Sequence, residues 1–261
     1  MTILDKIIAH KRIETEERKL SRPVSVLEKS VFFSSPVNSL SKEVARADRH
    51  GIIAEFKRKS PSKGIINANV TVENVTTGYV KAGASGLSIL TDSNFFGGSN
   101  EDFDQARKVN QCPVLRKDFV IDEYQILESK SIGADAILLI ASALEPKKLK
   151  QLAAFAHSLE LEVLMEVHDE EELRANEGTA VDLIGVNNRS LKTFEVNIEI
   201  SKQLASMIPA GVVKISESGI ESIQAVRDLR TYGFKGFLMG QYFMEKTDPA
   251  NAAAEFIKQL G

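Results

Sequence analysis

Short runs of apolar residues recur along the chain with few polar interruptions. Runs of this kind are typical of strands that are buried on both faces of a parallel sheet. Eight of them begin roughly 20–35 residues apart, and we number them as predicted strands one to eight. They are GIIAEF (51–56), GLSILT (86–91), CPVLRK (112–117), DAILLI (135–140), LEVLME (161–166), DLIGVN (182–187), VVKISE (212–217) and GFLMG (236–240).

Segments with a helical pattern fill the intervals between these runs. The first, TVENVTTGYVKAG (71–83), has apolar residues at helical spacing and ends at Gly83, a typical stop signal. Two helix starts are also marked, because Pro146 suits the first helical turn and Asp248 can cap a helix before Pro249. The other predicted helices are EDFDQARKV (101–109), DEYQILESKSIG (122–133), EPKKLKQLAAFAHSL (145–159), DEEELRAN (169–176), NIEISKQLASMI (197–208), IESIQAVRDLRTYG (220–233) and DPANAAAEFIKQLG (248–261).

The alternation of strands and helices predicts an α/β protein with right-handed βαβ units and a parallel sheet. Eight such units can close into a (β/α)8 TIM barrel, and an open doubly wound sheet is the alternative. No G-x-G-x-x-G follows the first predicted strand, so the dinucleotide-binding form of the open sheet loses support. No low-complexity linker divides the chain. We therefore expect residues 1–261 to form a single barrel domain, with residues 1–45 as an N-terminal helical extension packed on the barrel or over its mouth.

Composition and charge narrow the range of partners. The 261 residues include 33 Lys plus Arg and 36 Asp plus Glu, and a net charge of −3 gives no basic footprint for nucleic acid. No apolar run approaches the roughly 18 residues that a membrane helix needs. The single Cys112 excludes an internal disulfide, and the four scattered His residues lack metal-ligand spacing. The N-terminus has no signal-peptide core, so we expect a cytoplasmic protein without nucleic-acid, membrane or metal partners.

Polar residues that do not suit a core stand where the predicted strands end. In (β/α)8 barrels, active sites lie at the C-terminal ends of the strands. Because a buried charge is costly unless it is paired, acidic and basic groups that meet there would pair and shift each other's pKa values. Strand one leads to Glu55 and Lys57, strand three to Lys117, strand five to Glu166, strand six to Asn187 and Arg189, strand seven to Glu217, Ser218 and Gly219, and strand eight to Gly240.

Two of these strand ends suit a phosphate group. Ser218-Gly219 leads from strand seven towards a helix, and Gly240-Gln241 leaves strand eight. A glycine lets backbone N–H groups approach an anion, and the loops after strands seven and eight are the usual phosphate cradle of barrels. Lys57 or Ser60, in the loop after strand one, could hold the same phosphate.

Two further residues, Phe96 and His168, follow predicted strands two and five. Phenylalanines are usually core residues, but Phe96 lies in the loop FFGGS (95–99) after strand two, where we expect it to form a lid or an aromatic wall. His168 comes two residues after Glu166 and could lie at the rim of the site, but we expect its role to be structural.

Taken in chain order, these motifs resemble the signatures of the indole-3-glycerol-phosphate synthase family. The resemblance runs from the N-terminal extension to the last helix, and the ordered set is far more specific than any one motif. It implies a (β/α)8 barrel that converts 1-(2-carboxyphenylamino)-1-deoxyribulose 5-phosphate to indole-3-glycerol phosphate, CO2 and water in tryptophan biosynthesis, with no metal or organic cofactor. The motifs are IAEFKRKSPS (53–62), FFGGS (95–99), LRKDF (115–119), EVH (166–168), GVNNR (185–189) and SESGI (216–220).

The resemblance also implies a role for each site residue. Lys117 would be the general acid that protonates the ribulose carbonyl, and Glu166 the general base for the later loss of water and a proton. Lys57 would meet the substrate carboxylate and assist proton transfer. The lysines and the substrate hydroxyls would be oriented by Glu55, Asn187 and Glu217. The substrate would be supported by Arg189 and Ser218, and its aromatic ring would be flanked by Phe96 and Phe119. The phosphate would be held by Ser60, Gly219, Gly240 and Gln241.

Two details of this site are open to test. An acid and a base must coexist near neutral pH, so we expect nearby cations to lower the pKa of Lys117 and a partly dry pocket to surround Glu166. Gln241 stands where the family has small or acidic residues. We therefore expect its backbone N–H, rather than its side chain, to contact the phosphate.

Other functions remain compatible with the residues. A Schiff-base aldolase on the same barrel would use Lys117 as its nucleophile. A different isomerase of the tryptophan or histidine pathway would not be expected to need Lys57, Lys117 and Glu166 together. A non-catalytic phosphate-binding module would tolerate Lys117→Ala and Glu166→Gln without loss of its function. In each case we expect a phosphorylated small-molecule ligand, and a monomer or weak homodimer.

Overall fold

A closed barrel of eight parallel strands forms the centre of the computed structural model, which describes residues 2–261. Each strand is hydrogen-bonded to the barrel strand before it and after it in sequence, and the last pairs with the first. All eight predicted strands are confirmed, with ends within two residues of the predicted ones. The barrel strands are β1 (Ile52–Phe56), β4 (Gly86–Leu90), β5 (Val114–Lys117), β6 (Ala136–Ile140), β7 (Glu162–Val167), β8 (Leu183–Asn187), β9 (Val213–Glu217) and β10 (Gly236–Met239).

Helices connect the strands as the sequence pattern predicts. Pro146 occupies the first turn of its helix, the Asp248 side chain accepts a hydrogen bond from the Asn251 N–H, and Gly83 follows its helix with a φ of +99°. The connecting helices are α4 (Val72–Lys81), α5 (Asn100–Val109), α6 (Glu123–Ser131), α7 (Pro146–Ser158), α8 (Glu170–Ala175), α9 (Glu199–Leu204) and α10 (Ile223–Thr231), and β10 is followed by α11 (Gln241–Met244) and α12 (Pro249–Leu260).

Two helices are shorter than the sequence pattern predicts by five residues or more. The α9 helix covers only the middle of the segment 197–208, and turns at residues 205–207 follow it. The α10 helix begins at Ile223 rather than at 220, because the Ser222 side chain accepts a hydrogen bond from the Ala225 N–H and caps the helix there.

The loop after β1 contains a small hairpin that the apolar pattern did not reveal. Strands β2 (Lys59–Ser60) and β3 (Gly64–Ile65) pair in antiparallel fashion beside the barrel. Both strands have only two residues, and neither belongs to an apolar run. The hairpin places Ser60 in a buried position next to the strand ends.

From residue 2 to the start of β1, the structure has three helices: α1 (Ile3–Ser21), α2 (Val24–Leu27) and α3 (Leu40–Ala45). Thr2 and Asp5 form a capping box at the start of α1, which satisfies two backbone N–H groups. The buried residues of α1 are Ile7, Lys11 and Thr15, which are spaced four apart and share one face of the helix. That face lies against the barrel.

The core has two layers, separated by the strands themselves. Side chains such as Ile53, Leu138 and Leu164 fill the inside of the barrel. Their neighbours, such as Ile52 and Val163, point outward into the layer between strands and helices. Successive strand residues point to opposite faces, so burial on both faces explains the continuous apolar runs in the sequence. Among residues 2–261, no helix is both long and apolar enough to cross a membrane.

Gly51, just before β1, provides a test of the barrel closure. Its φ is +70°, and a Cβ atom there would lie 1.8 Å from the Lys235 carbonyl oxygen. Gly178 has a similar φ of +75°, but nothing lies within 4 Å of its Cβ position. We predict that Gly51→Ala lowers the free energy of unfolding by about 3 kcal/mol and Gly178→Ala by about 1 kcal/mol, measured by urea denaturation. Equal losses would contradict the close contact at Gly51.

Candidate active site

One cavity at the C-terminal ends of the strands collects all of the residues that the sequence analysis singled out as a site. They come from seven barrel strands or from the loops that follow them, so the convergence results from the barrel topology. The cavity is lined by Glu55, Lys57, Ser60, Phe96, Lys117, Phe119, Glu166, Asn187, Arg189, Glu217, Ser218, Gly219, Gly240 and Gln241.

A lysine between two glutamates lies at the centre of this cavity. Lys117 Nζ is 2.6 Å from Glu217 Oε2 and 3.1 Å from Glu166 Oε2. The Lys117 side chain is 12% exposed, and the two glutamates are 5% exposed or less. Because these charges are almost fully removed from water, each depends on the others for compensation. We call these three residues the ion triad.

The ion triad shifts the pKa values of its members in different directions. Burial opposes the charged form of Lys117, but Glu217 and Glu166 outweigh it and raise the pKa of Lys117 above its usual range. Burial also raises the pKa of Glu166, but the Lys117 charge prevails and lowers it to about 2. For Glu217, burial together with the negative charge of Glu166 outweighs the attraction of Lys117 and raises the pKa to about 7.

The expectation that nearby cations lower the pKa of Lys117 is therefore wrong. The groups that act on its ammonium are carboxylates: Glu217, Glu166 and, farther away, Glu55. The other lysine of the site, Lys57, is itself paired with Glu55. Lys117 is thus protonated at neutral pH, whereas Glu217 titrates near neutrality.

Glu55 and Lys57 form a second ion pair beside the triad. Lys57 Nζ lies 2.6 Å from Glu55 Oε1, and the Ser88 hydroxyl donates a hydrogen bond of 3.4 Å to Glu55 Oε2. The two residues are two apart, which places both side chains on the inner face of the barrel. This pair holds the Lys57 ammonium at the mouth of the cavity, where its side chain remains 18% exposed.

Two glycines give the buried glutamates their space. A Cβ at Gly185 in β8 would lie 2.1 Å from Glu217 Oε1, and a Cβ at Gly240 would lie 2.5 Å from Glu55 Oε1. Gly240 was predicted as a phosphate ligand only. Sequence reasoning did not assign any role to Gly185, although an isolated glycine inside a strand does indicate a close approach of another group.

The second carboxylate oxygen of Glu166, Oε1, also has polar partners. The Asn187 amide donates a hydrogen bond of 3.1 Å to Glu166 Oε1, and His168 Nε2 lies 3.4 Å from the same oxygen. The other ring nitrogen of His168 is 3.2 Å from Glu172 Oε2. Burial lowers the pKa of His168, but Glu172 and Glu166 raise it above the usual value. Within residues 2–261, no group of three or more His, Cys, Asp or Glu side chains is placed to hold a metal ion.

Aromatic and aliphatic side chains close one side of the cavity. The rings of Phe96 and Phe119 are 5.8 Å apart between centroids, and we call this pair the aromatic wall. Helix α1 adds Ile3, Leu4 and Ile7 to the same cavity. The sequence pattern allows the extension to lie over the mouth of the barrel, but it does not indicate that any side chain of α1 belongs to the site.

On the opposite side, the backbone turns sharply after β9. Ser218 and Gly219 have φ values of +67° and +74°, and the Asn188 amide donates a hydrogen bond of 3.0 Å to the Ser218 carbonyl oxygen. Left-handed backbone costs about 1–2 kcal/mol for a residue other than glycine, so the Asn188 contact helps to hold Ser218 in this conformation.

Gln241, for which only a backbone contact was expected, has a side-chain contact of its own. Its Oε1 accepts a hydrogen bond of 3.2 Å from the Arg189 guanidinium, which also donates to the Phe194 carbonyl oxygen at 3.1 Å. The Gln241 side chain therefore helps to fix Arg189 at the cavity, in addition to whatever its backbone N–H binds.

Comparisons of the sequence with known proteins agree on one family. A family model described as "Indole-3-glycerol phosphate synthase" matches residues 4–256. The indole-3-glycerol phosphate synthase of Bacteroides thetaiotaomicron is 46% identical over 258 residues, which cover 99% of this chain and 98% of that protein. The corresponding enzyme of Polaromonas naphthalenivorans is 42% identical over 257 residues, which cover 97% of each chain.

Two solved structures resemble this chain in their fold. Tryptophan synthase subunit alpha from Legionella pneumophila superposes with a TM-score of 0.62 at 14% identity, over 85% of this chain and 97% of that chain. Thiamine phosphate pyrophosphorylase from Pyrococcus furiosus gives a TM-score of 0.60 at 14% identity, over 85% and 98% of the two chains. Both likenesses support the barrel and carry no information about the reaction.

Proposed function

Because the chain belongs to the indole-3-glycerol phosphate synthase family, we propose that Lys117 is the acid and Glu166 the base of its ring-closing reaction. The chain is thus an enzyme, a carboxy-lyase of tryptophan biosynthesis that acts on a phosphorylated small molecule. The observation that supports these roles best is the ion triad, in which a buried ammonium contacts two buried carboxylates with different pKa values.

The reaction begins at the ketone of 1-(2-carboxyphenylamino)-1-deoxyribulose 5-phosphate. The Lys117 ammonium donates a proton to the carbonyl oxygen, which makes the carbonyl carbon electrophilic. The ring carbon that bears the carboxylate attacks it and forms the new carbon–carbon bond. Loss of CO2 then restores the aromatic ring. A lysine whose pKa is raised by its neighbours is fully protonated at neutral pH, and so holds the proton that this step requires.

Dehydration completes the indole. The hydroxyl derived from the ketone takes a proton from Lys117 and leaves as water, and Glu166 accepts the proton that is lost from the five-membered ring. The lowered pKa of Glu166 keeps it ionised and therefore able to act as a base. Glu217 contacts Lys117 directly and titrates near neutral pH, so it is placed to return a proton to the lysine between steps.

The order of the strands around the barrel indicates how the substrate is oriented in the cavity. Phe96 and Phe119 follow the neighbouring strands β4 and β5, and we assign the aromatic ring of the substrate to them. The predicted phosphate ligands follow β9, β10 and β1, which are also neighbours. We assign the phosphate to these ligands, which are Ser60, Gly219, Gly240 and Gln241.

Cationic groups line the same cavity. Lys57 and Arg189 line the cavity together with Lys117, and we assign the substrate carboxylate to Lys57. A doubly anionic substrate needs such cations and oriented N–H donors to replace its hydration. Ser218 supports the substrate from the turn after β9.

The same geometry argues against a Schiff-base aldolase. Imine formation needs a neutral Lys117 amine as the nucleophile, and such enzymes lower the pKa of that lysine. Here the two carboxylates raise it. The acid–base assignment therefore fits the surroundings of Lys117 better than the covalent one.

We also predict that the enzyme acts in the cytoplasm, as a monomer or weak homodimer. What supports a reducing compartment is that the one cysteine, Cys112, is unpaired.

Activity on the proposed substrate can be measured directly. Purified protein is incubated with 1-(2-carboxyphenylamino)-1-deoxyribulose 5-phosphate, and the increase in indole fluorescence is recorded. We expect continuous formation of indole-3-glycerol phosphate, and no covalent adduct when borohydride is added during turnover. Absence of indole formation would refute the proposed reaction, and a borohydride-trapped imine would favour the aldolase.

Replacing the proposed acid should stop ring closure while binding survives. We predict that Lys117→Ala lowers kcat by about 10²–10⁴-fold, because no other ammonium reaches the carbonyl oxygen in this assignment. Binding of the substrate should largely persist, since the phosphate ligands are on other strands. Lys63→Ala, which removes an exposed loop lysine, serves as the control. Turnover near that of the wild type in Lys117→Ala would remove this lysine from the mechanism.

Replacing the proposed base should affect turnover more than substrate affinity. We predict that Glu166→Gln lowers kcat by about 10²-fold or more with a change in KM of only a few-fold, because the amide keeps the shape of the side chain but accepts no proton. Steady-state kinetics provide the measurement, and Glu171→Gln on the exposed face of α8 is the matched control. A kcat within a few-fold of the wild-type value would contradict the assignment.

A further inference from the structure

A buried lysine joins the N-terminal helix to the rim of the barrel. Lys11 lies in the middle of α1, and its side chain is 1% exposed. Its Nζ is 2.8 Å from Asp118 Oδ1, 3.0 Å from Asp92 Oδ2 and 2.6 Å from Glu14 Oε2. A buried ammonium is costly without such partners, so this position has a specific requirement for a cation.

The two aspartates that face Lys11 also hold the backbone of the aromatic wall. Asp92 Oδ1 accepts hydrogen bonds from the N–H groups of Phe95 at 2.7 Å and Phe96 at 3.1 Å. Asp118 Oδ1 accepts a hydrogen bond from the N–H of Phe119 at 2.8 Å. Each aspartate therefore connects the ammonium of Lys11 to the main chain of one residue of the wall.

The two connections differ in how much they depend on Lys11. Asp118 has further partners, because its Oδ2 accepts hydrogen bonds from Thr91 at 2.6 Å and from Arg116 at 3.4 Å. Asp92 is fully buried, and within the described part of the chain Lys11 is its one ion-pair partner. Loss of Lys11 would leave the Asp92 carboxylate uncompensated, and the loop that carries Phe96 would be the first to shift.

We propose that Lys11 is a positioning residue that fixes the aromatic wall, and through it the affinity for the aromatic ring of the substrate. Lys11 does not line the cavity and would not touch the substrate itself. It acts through Asp92 and Asp118 on Phe96 and Phe119, whose rings do line it. The proposal rests on the proposed function, because it names the part of the substrate that the wall binds.

A positioning role and a purely structural role predict different kinetics. If Lys11 positions the wall, its loss weakens contacts to the aromatic ring in the ground state and the transition state alike, so KM rises while kcat changes little. If Lys11 only stabilises the fold, its loss reduces the number of folded molecules. The apparent kcat then falls at an unchanged KM.

The test compares Lys11→Met with Glu14→Gln. Lys11→Met removes the ammonium at similar volume, and we expect KM to rise about tenfold with kcat within about threefold of the wild-type value. Glu14→Gln removes one partner of Lys11 but leaves both aspartates in place, so its kinetics should match the wild type. Competitive inhibition by inorganic phosphate should stay within about twofold in both variants, since the phosphate ligands follow other strands.

An unchanged KM in folded Lys11→Met, or a lower kcat at an unchanged KM, would overturn the proposal. A large change in inhibition by phosphate would also overturn it, because it would indicate general distortion. If Lys11→Met does not fold, Asp92→Asn decides the question: its Oδ1 can still accept from Phe95 and Phe96, but it no longer pairs with Lys11. We expect a rise in KM of about threefold, and an unchanged KM would overturn the proposal.

Turnover by the wild-type protein in the same assay distinguishes a failure of the proposed function from a failure of the proposed role of Lys11. If the wild-type protein does not convert the carboxyphenylamino-deoxyribulose phosphate, the proposed function fails whatever the variants do. If it does convert the substrate and the Lys11 and Asp92 variants keep the wild-type KM, only the role of Lys11 fails. Lys11→Arg, which retains the charge, should recover most of the lost affinity.

Discussion

Compensation of charge around one buried ammonium governs the arrangement of this site. Lys117 reaches the interior of the barrel mouth, where water is largely excluded, and Glu166 and Glu217 contact it from two other strands. None of the three charges would be tolerated alone at this depth. Neighbouring elements serve the same requirement, since Gly185 leaves space for Glu217 and the Asn187 amide holds Glu166. The barrel brings these distant residues together because parallel strands all end at one rim.

The surroundings of the triad divide the cavity into regions with different physical character. Apolar groups from α1 and the aromatic wall line one side, and glycines and polar groups after β9, β10 and β1 line the other. An extended substrate with an aromatic ring at one end and a phosphate at the other fits this division. Helix α1 contributes to the site in two ways. It supplies apolar side chains that line the cavity, and its Lys11 forms ion pairs with Asp92 and Asp118.

The sequence predicts the barrel well because strands buried on both faces need continuous apolar runs, and helices between them need one apolar face. It also predicts which polar residues meet, because each stands at the end of such a run. It does not predict the β2–β3 hairpin, whose strands are too short to have a pattern. The direction of the Lys117 pKa shift was also missed, because it depends on which charges lie nearest in space. Lys11 was missed for a similar reason: on an otherwise charged helix, nothing in the sequence distinguishes a buried lysine from an exposed one.

The protonation state of Lys117 shows whether the two glutamates hold its side chain in the charged form. Protein labelled with ¹⁵N at the lysine side chains can be titrated by NMR in the absence of substrate, with the Lys117 signal assigned by Lys117→Arg. The ion triad predicts that this ammonium keeps its proton at pH values where exposed lysines, with a pKa of about 10.4, have begun to lose theirs. A Lys117 signal that titrates below the exposed lysines would contradict the account, because the two glutamates could not then be holding the acid in its charged form.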